Sequence, residues 1–247
     1  MRIRLAKKQI EQPEIANLPR HVAIVMDGNR RWARKRYLPR LEGHRQGVKA
    51  VRRSIEVCLE QGIETLTLYT FSAENWKRPK DEVSALMNLL ALHLKREMAD
   101  LHQRGVRFRA LGRVNALPEQ IQQHVRDLEE LTAQNSRLNF NIAINYGGRQ
   151  EIVDGVRQLA EKVKAGELEP EAIDDAALSA SLTTFDQPDP DLLIRTGGDH
   201  RVSNFLLWQI AYTELIFLPI FWPEFDRAQF MEALKEYASR ERRFGSG

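Results

Sequence analysis

Six short apolar runs, at residues 21–26, 65–71, 106–111, 138–146, 192–195 and 215–218, read as buried strands. Between them the apolar residues fall at helical spacing. In 47–61, Val48, Val51, Ile55 and Leu59 share one helical face, and Gly62 stands where a C-terminal capping glycine belongs. A helix over 119–133 follows Pro118, a good first-turn residue. Another over 149–164 stops before Gly166, and 226–243 forms a terminal helix. The segment 83–101 is different: Val83, Leu86, Met87, Leu89, Leu90, Ala91, Leu94, Met98 and Leu101 cover more than one narrow stripe. Such a helix is either packed into a core on several sides or lines an apolar cavity.

Alternating strands and helices predict an α/β fold, a single domain with a six-stranded, mostly parallel sheet flanked by helices. Ligands bind such sheets beyond the carboxyl ends of the strands. The residues there are Asp27-Gly28-Asn29, Ser72-Ala73-Glu74, Gly147-Gly148-Arg149 and Arg195-Thr196-Gly197-Gly198, a set rich in charge, glycine and small polar groups. No internal repeat or interdomain linker interrupts the 247 residues, a length that suits one large α/β domain.

Composition changes this picture in two respects. The net charge is only +3, but residues 20–53 hold 11 Lys/Arg against 2 Asp/Glu, a local excess that points to a polyanionic ligand. The stretch has no nucleic-acid-binding motif, so no nucleic-acid partner is expected. The single cysteine, Cys58, cannot form an intrachain disulfide and reads as a small buried hydrophobe. With no signal-type apolar run at the N-terminus, a cytoplasmic location is expected. Residues 205–222 approach a bilayer span in length but carry Gln209, Glu214 and Pro219; a carboxylate there is costly in lipid, and a buried strand with its flanks fits better.

Three constellations carry chemistry. In Met26-Asp27-Gly28-Asn29-Arg30-Arg31-Trp32 an aspartate ends a strand, a glycine turns the chain, and a helix start offers free N–H groups to an anion. Arg31, Arg40 and His44 add donors. Asp27 either caps the helix or holds Mg²⁺, which takes one or two carboxylates together with substrate phosphate oxygens. Residues 71–79 form a polar loop with two aromatics, in which Arg78 either completes an anion clamp or belongs to an ordinary capped turn. In 195–204, Arg195 and Arg201 flank a Gly-Gly turn with Ser203 beyond, an arrangement for bidentate phosphate binding. Glu214, a carboxylate in an apolar run, makes either a buried ion pair or part of a metal or diphosphate site.

The segments HVAIVMDGNRRWA, FSAENWKRP, NYGGRQEIVDGVRQLA and DLLIRTGGDHRVSNFLLWQIAYTELIF resemble, in order, the motifs of the cis-prenyltransferase family of undecaprenyl diphosphate synthases. The resemblance runs from about Leu18 to Gly245. It implies an N-terminal extension over 1–17, partly flexible, a catalytic domain over 18–247, a homodimer, and an apolar product tunnel with 83–101 as one wall. It implies sequential cis addition of isopentenyl diphosphate to farnesyl diphosphate, giving a lipid carrier for bacterial cell-wall peptidoglycan synthesis. Matched by motif, Asp27 is the catalytic Mg²⁺-binding aspartate. Gly28, Asn29, Arg30, Arg31, Trp32, Arg40 and His44 surround the allylic diphosphate. Ser72, Ala73, Glu74, Asn75, Trp76 and Arg78 form a mobile loop, with Asn75 among the catalytic residues. Arg195, Arg201, Val202 and Ser203 hold isopentenyl diphosphate. Glu214 assists the Mg²⁺ or supports that site across the dimer, and Arg243-Phe244-Gly245 reaches the partner's site. At Asp199 the family pattern has glutamate, so the resemblance assigns it no role. A membrane-lipid product also implies transient peripheral contact with the inner face of the plasma membrane.

Overall fold

The computed structural model describes residues 15–240. Most of the expected extension and the Arg243-Phe244-Gly245 motif lie outside the described residues. Ile15 and Leu18 already pack against the core.

Six parallel strands form one sheet in the order β3-β4-β2-β1-β5-β6: β1 (His21–Val25), β2 (Thr65–Ser72), β3 (Val106–Leu111), β4 (Leu138–Tyr146), β5 (Leu192–Arg195) and β6 (Glu214–Phe217). The chain builds outward from β1 to one side, then returns to place β5 and β6 on the other. That reversal opens a crevice at the carboxyl ends of β1 and β5. The register brings Val25 level with Tyr69 on one side and Arg195 on the other, so Asp27, Ser72 and Arg195 emerge at the same end of the sheet. Register shifts between Tyr69 and Ser72 break the β2–β4 ladder and re-aim the loop that follows.

Side chains alternate between two cores. Val22, Ile24, Leu66 and Leu68 face the larger one, with α2 (Arg40–Gln61), α3 (Lys80–Gln103), α4 (Glu119–Thr132) and α7 (Arg227–Ala238). Ala23, Val25 and Tyr69 face the smaller one, where Tyr69 stacks on Phe205 with centroids 4.4 Å apart. The remaining helices are α1 (Asn29–Lys35), α5 (Gly148–Lys164) and α6 (Asp175–Ala180). Cys58 lies fully buried, and burial pushes its thiol pKa up, as suits a small hydrophobe.

The boundaries depart from expectation where apolar periodicity has nothing to read. α2 starts at Arg40 instead of 47, because its first two turns are polar or glycine apart from Leu41; Gly43 and Gly47 are buried there against α1 and Trp222. α7 ends at Ala238, with Ser239 as its cap, short of residue 243. β6 begins one residue earlier than expected, at Glu214. In 205–222, Phe205 and Leu206 are buried, Gln209 donates to Glu151 and Thr184 at 3.0 Å each, and the chain then enters β6. Among the described residues no helix is long and apolar enough to cross a membrane.

His21, at the start of β1, is wholly buried between the Pro188 carbonyl (2.7 Å) and the Thr67 hydroxyl (2.8 Å). Burial lowers its pKa to about 4, against the opposing pull of the Pro188 carbonyl and Asp191. The native state therefore keeps it neutral while the unfolded chain protonates below about 6.5. Its contribution is complete above that pH and is lost as pH falls toward 4, with about 2 kcal/mol gone at pH 5. In urea titrations, His21→Gln should lose correspondingly less stability between pH 7 and pH 5 than the wild type. Equal losses would show that His21 is not the group responsible.

Candidate active site

Two residues past β1, the Asp27 carboxylate meets the guanidinium of Arg195, with Oδ2 2.7 Å from Nη2, and that of Arg31 at 3.2 Å. Thr196 clamps the same backbone, its hydroxyl donating to the Asp27 carbonyl at 2.7 Å. Gly28 follows at φ +106°, a conformation that disfavours side chains; a Cβ there would also lie 2.8 Å from Phe221. No side chain caps α1, which leaves its first N–H groups free to meet a ligand.

Arg195 is 3% exposed. Besides Asp27 it donates to Ser203 Oγ at 2.7 Å and to the Arg201 carbonyl. The turn between them brings in Asp199, whose Oδ2 lies 3.2 Å from Arg31, 3.1 Å from Arg201 and 3.5 Å from Arg195. The Asp199 carboxyl is held below the usual carboxylate range: desolvation opposes this and is outweighed by contact with Asp27 and the charges of Arg201 and Arg31. The two carboxylates thus share Arg31, 3.2 Å from each, and Arg195, at 2.7 and 3.5 Å, with Arg201 on Asp199 as well. This hard-oxygen pair fits Mg²⁺, which needs few protein carboxylates when phosphate oxygens complete the shell.

The loop after β2 is a 3₁₀ turn, Ala73–Lys77. Asn75 Oδ1 accepts from the Ser72 N–H at 3.2 Å and closes a capping box. Glu74 accepts from Asn204 at 2.8 Å, tying this loop to the Arg201–Ser203 segment. Trp76 is 41% exposed; it donates to Asn145 at 2.7 Å and packs edge-on against Phe71. Arg78, Arg30 and Arg40 converge on Glu82, at 3.3, 3.7 and 3.3 Å. His44 is half-buried, with its Nε2 fully enclosed. That burial, with Arg78's charge adding to it, lowers its pKa to about 4, so it is a neutral hydrogen-bonding group at pH 7.

These groups ring the mouth of a cavity of about 1180 Å³. Asp27, Gly28, Asn29, Arg30, Arg31, Arg40 and His44 line it from one side. Ser72, Glu74, Asn75, Arg78, Arg195, Arg201 and Ser203 line it from the other. The rest of the lining is largely apolar, with Val51, Ile55, Leu86, Leu90, Leu94, Phe108, Leu128 and Phe140, and also includes Arg52, His93, Glu97, Asp100 and Arg104. α2 and α3 are clasped across it by Arg52 and Glu97, at 3.0 and 2.5 Å. The 83–101 segment is therefore both: Val83 and Ala91 pack into the core, while Leu86, Leu89 and Leu90 line the cavity.

Other expected residues stand apart from this lining. Trp32 turns its ring to Arg36, whose guanidinium lies 4.4 Å from the centroid. Ala73, Trp76 and Val202 are not among the residues that line the cavity. Glu214 opens β6 at the amino ends of the strands and pairs with Arg240 at 2.7 Å. Asp27 lies past their carboxyl ends, so the two do not meet within one chain.

A cavity that joins acidic and arginine side chains to a largely apolar lining suits a ligand with a diphosphate head and a hydrocarbon tail. The prenyltransferase family model, that of undecaprenyl diphosphate synthases, matches residues 25–245. The chain belongs to the undecaprenyl diphosphate synthase family. It is 53% identical, over 94% of its length and 90% of the relative's, to a protein of Xanthomonas oryzae pv. oryzae named ditrans,polycis-undecaprenyl-diphosphate synthase, (2E,6E)-farnesyl-diphosphate specific. A protein of Salmonella typhimurium with the same name is 52% identical over 95% of this chain and 94% of its own. Among solved structures, lavandulyl diphosphate synthase from Lavandula x intermedia, in complex with dimethylallyl diphosphate, superposes with a TM-score of 0.90 at 39% identity, covering 93% of this chain and 99% of that one. A probable undecaprenyl diphosphate synthase from Campylobacter jejuni superposes with a TM-score of 0.78 at 36% identity, over 93% and 100%.

Three further residues stand out by their contacts. Asp199 is shorter than the family's glutamate, yet it gathers Arg31, Arg195 and Arg201. Glu82, the acceptor for three mouth arginines, stands in the first turn of α3; its i,i+4 spacing from Arg78 is the sequence signal for it. Asn145, at φ +48°, anchors Trp76, and nothing local distinguishes it.

Proposed function

We propose that this chain extends farnesyl diphosphate by sequential cis additions of isopentenyl diphosphate to undecaprenyl diphosphate, using Mg²⁺. The observation that carries this is the buried, unsatisfied polarity at the mouth of the apolar cavity. Among the described residues, Asn29 Oδ1, His44 Nε2 and Arg195 Nε are buried without a hydrogen-bond partner, a costly condition unless a ligand meets them.

Two diphosphates need two cationic pockets. Arg30, Arg40 and Arg78, gathered on Glu82, with His44 and the open turn of α1, suit the allylic diphosphate. Arg195, Arg201 and Ser203 suit isopentenyl diphosphate. In the reaction the allylic C–O bond breaks and its electron pair leaves with the diphosphate. The terminal double bond of isopentenyl diphosphate attacks the allylic carbon, and a proton is lost to restore a double bond. Arginines already fixed by ion pairs stabilise charge on the leaving diphosphate without reorganising. Mg²⁺, held by Asp27 with Asp199 alongside, would neutralise the same charge. The tail moves into the apolar shaft, which excludes water from the allylic carbon.

Glu214 belongs to this reading only through a second copy, because its own chain keeps it at the far end of the sheet. A homodimer is also part of the proposal; Val153 and Val156, exposed one turn apart on α5, offer apolar surface for it. Transient membrane contact follows from a long-chain lipid product.

Purified protein with farnesyl diphosphate, radiolabelled isopentenyl diphosphate and Mg²⁺ should form a C55 product, and EDTA should abolish it. Undiminished synthesis in EDTA would remove the metal from the scheme. A folded protein that makes nothing in Mg²⁺ would overturn the reading itself.

A further inference from the structure

The turn between α1 and α2 faces outward over the cavity mouth. Residues 34–40, Arg-Lys-Arg-Tyr-Leu-Pro-Arg, are seven consecutive exposed positions with four cations and no anion. Tyr37 is 98% exposed and Leu38 40% exposed, so the tip carries an amphipathic aromatic and an aliphatic side chain in water. Tyr37 also holds φ +55°, a left-handed conformation disfavoured for a bulky L-residue. The fold gains little packing from this side chain and carries local backbone strain to present it.

Two of the cations are already engaged: Arg36 with Glu224 at 2.9 Å and Arg40 with Glu82 at 3.3 Å. Arg34 and Lys35 have no ion-pair partner among the described residues. Arg34, Leu38 and Arg40 also belong to the cavity lining, so this tip and the cavity mouth form one surface.

We infer that residues 34–38 dock the enzyme on an anionic phospholipid surface with the cavity mouth against the headgroups. This rests on the reading of the cavity as the site of a long-chain prenyl diphosphate. Unpaired cations beside anionic lipid supply the attraction, and an aromatic with an apolar body and polar tip settles at the interface. A product with a diphosphate head and a long hydrocarbon tail can then leave without crossing water: the head stays at headgroup level while the tail passes from the shaft into the acyl region. The contact is weak enough to be reversible, since one turn with two free cations is a small anchor.

The test is co-sedimentation of the full-length protein with phosphatidylcholine vesicles, with and without phosphatidylglycerol, over a range of salt. Wild type should pellet with the anionic vesicles at low salt and be released as salt screens the cations. Lys35→Glu with Tyr37→Asn should weaken partitioning at least tenfold. Asparagine tolerates the left-handed conformation, and neither residue lines the cavity, so turnover in detergent should be unchanged. Active wild type that stays in the supernatant at low salt overturns the docking proposal and leaves the enzyme reading intact. So does a double variant that pellets like wild type, which would place the lipid contact elsewhere, for instance on the basic N-terminal residues. Loss of turnover in the wild type would count against the enzyme reading, independently of the pelleting result.

Discussion

Asp27→Ala is expected to lower turnover by at least about 10²–10³-fold, the scale on which removal of one preorganised charge-stabilising group is felt, while the protein remains folded. The activity loss follows from position. Asp27 stands at the carboxyl end of β1, in the crevice between β1 and β5, and its carboxylate links Arg195 and Arg31 where a diphosphate and Mg²⁺ would meet. The fold survives because Arg195, although 3% exposed, retains Ser203 at 2.7 Å and Asp199 at 3.5 Å. Its buried charge is therefore not stranded, which is what usually makes breaking such a pair expensive. Steady-state assays paired with thermal unfolding check this. Near-normal turnover would sink the metal assignment; a collapsed melting transition would mean that Asp27 is chiefly structural.

Gly43→Ala should have the largest effect on stability, although Gly43 touches no substrate. A Cβ at this buried turn of α2 would lie 2.1 Å from the Asn29 carbonyl oxygen and 2.8 Å from its carbon. Both are backbone atoms, so no side chain can swing away and α1 must lift off α2. Overpacking ordinarily costs about 1–3 kcal/mol, and a rigid backbone obstacle places this variant at or above the upper end. Because Asn29, Arg30 and Arg31 ride on α1, the KM for the allylic substrate should rise as well. Unchanged urea midpoints together with an unchanged KM would show that the α1–α2 contact has more slack than the distances indicate.

The sheet was legible because each of its strands is an apolar run of strand length, and the place of the candidate site was legible because parallel sheets present ligands at one end. Asp27, Ser72 and Arg195 are placed near one another by that rule alone. Helix starts were harder. The polar first turns of α2 are held by Pro39 and by close contacts to α1 and Trp222, and none of these leaves an apolar periodicity. Glu214 shows another limit. Sequence establishes a carboxylate in an apolar run, but its strand end depends on which residue starts β6, and it sits opposite Asp27. Asp199 and Glu82 stand out only by how many arginines converge on them, a property of three-dimensional proximity.

The uninterrupted helix α3 makes one cavity wall, and its 24 residues advance about 36 Å. Side chains on its inner face recur every three or four residues, so they stand at fixed rungs about 4.5–6 Å apart. A bulky residue introduced on this face can block the shaft only at one of those rungs. Product length in this architecture is therefore counted rather than tuned: substitutions along α3 should move the stopping point in discrete notches, deeper ones allowing more additions before the chain meets an obstruction.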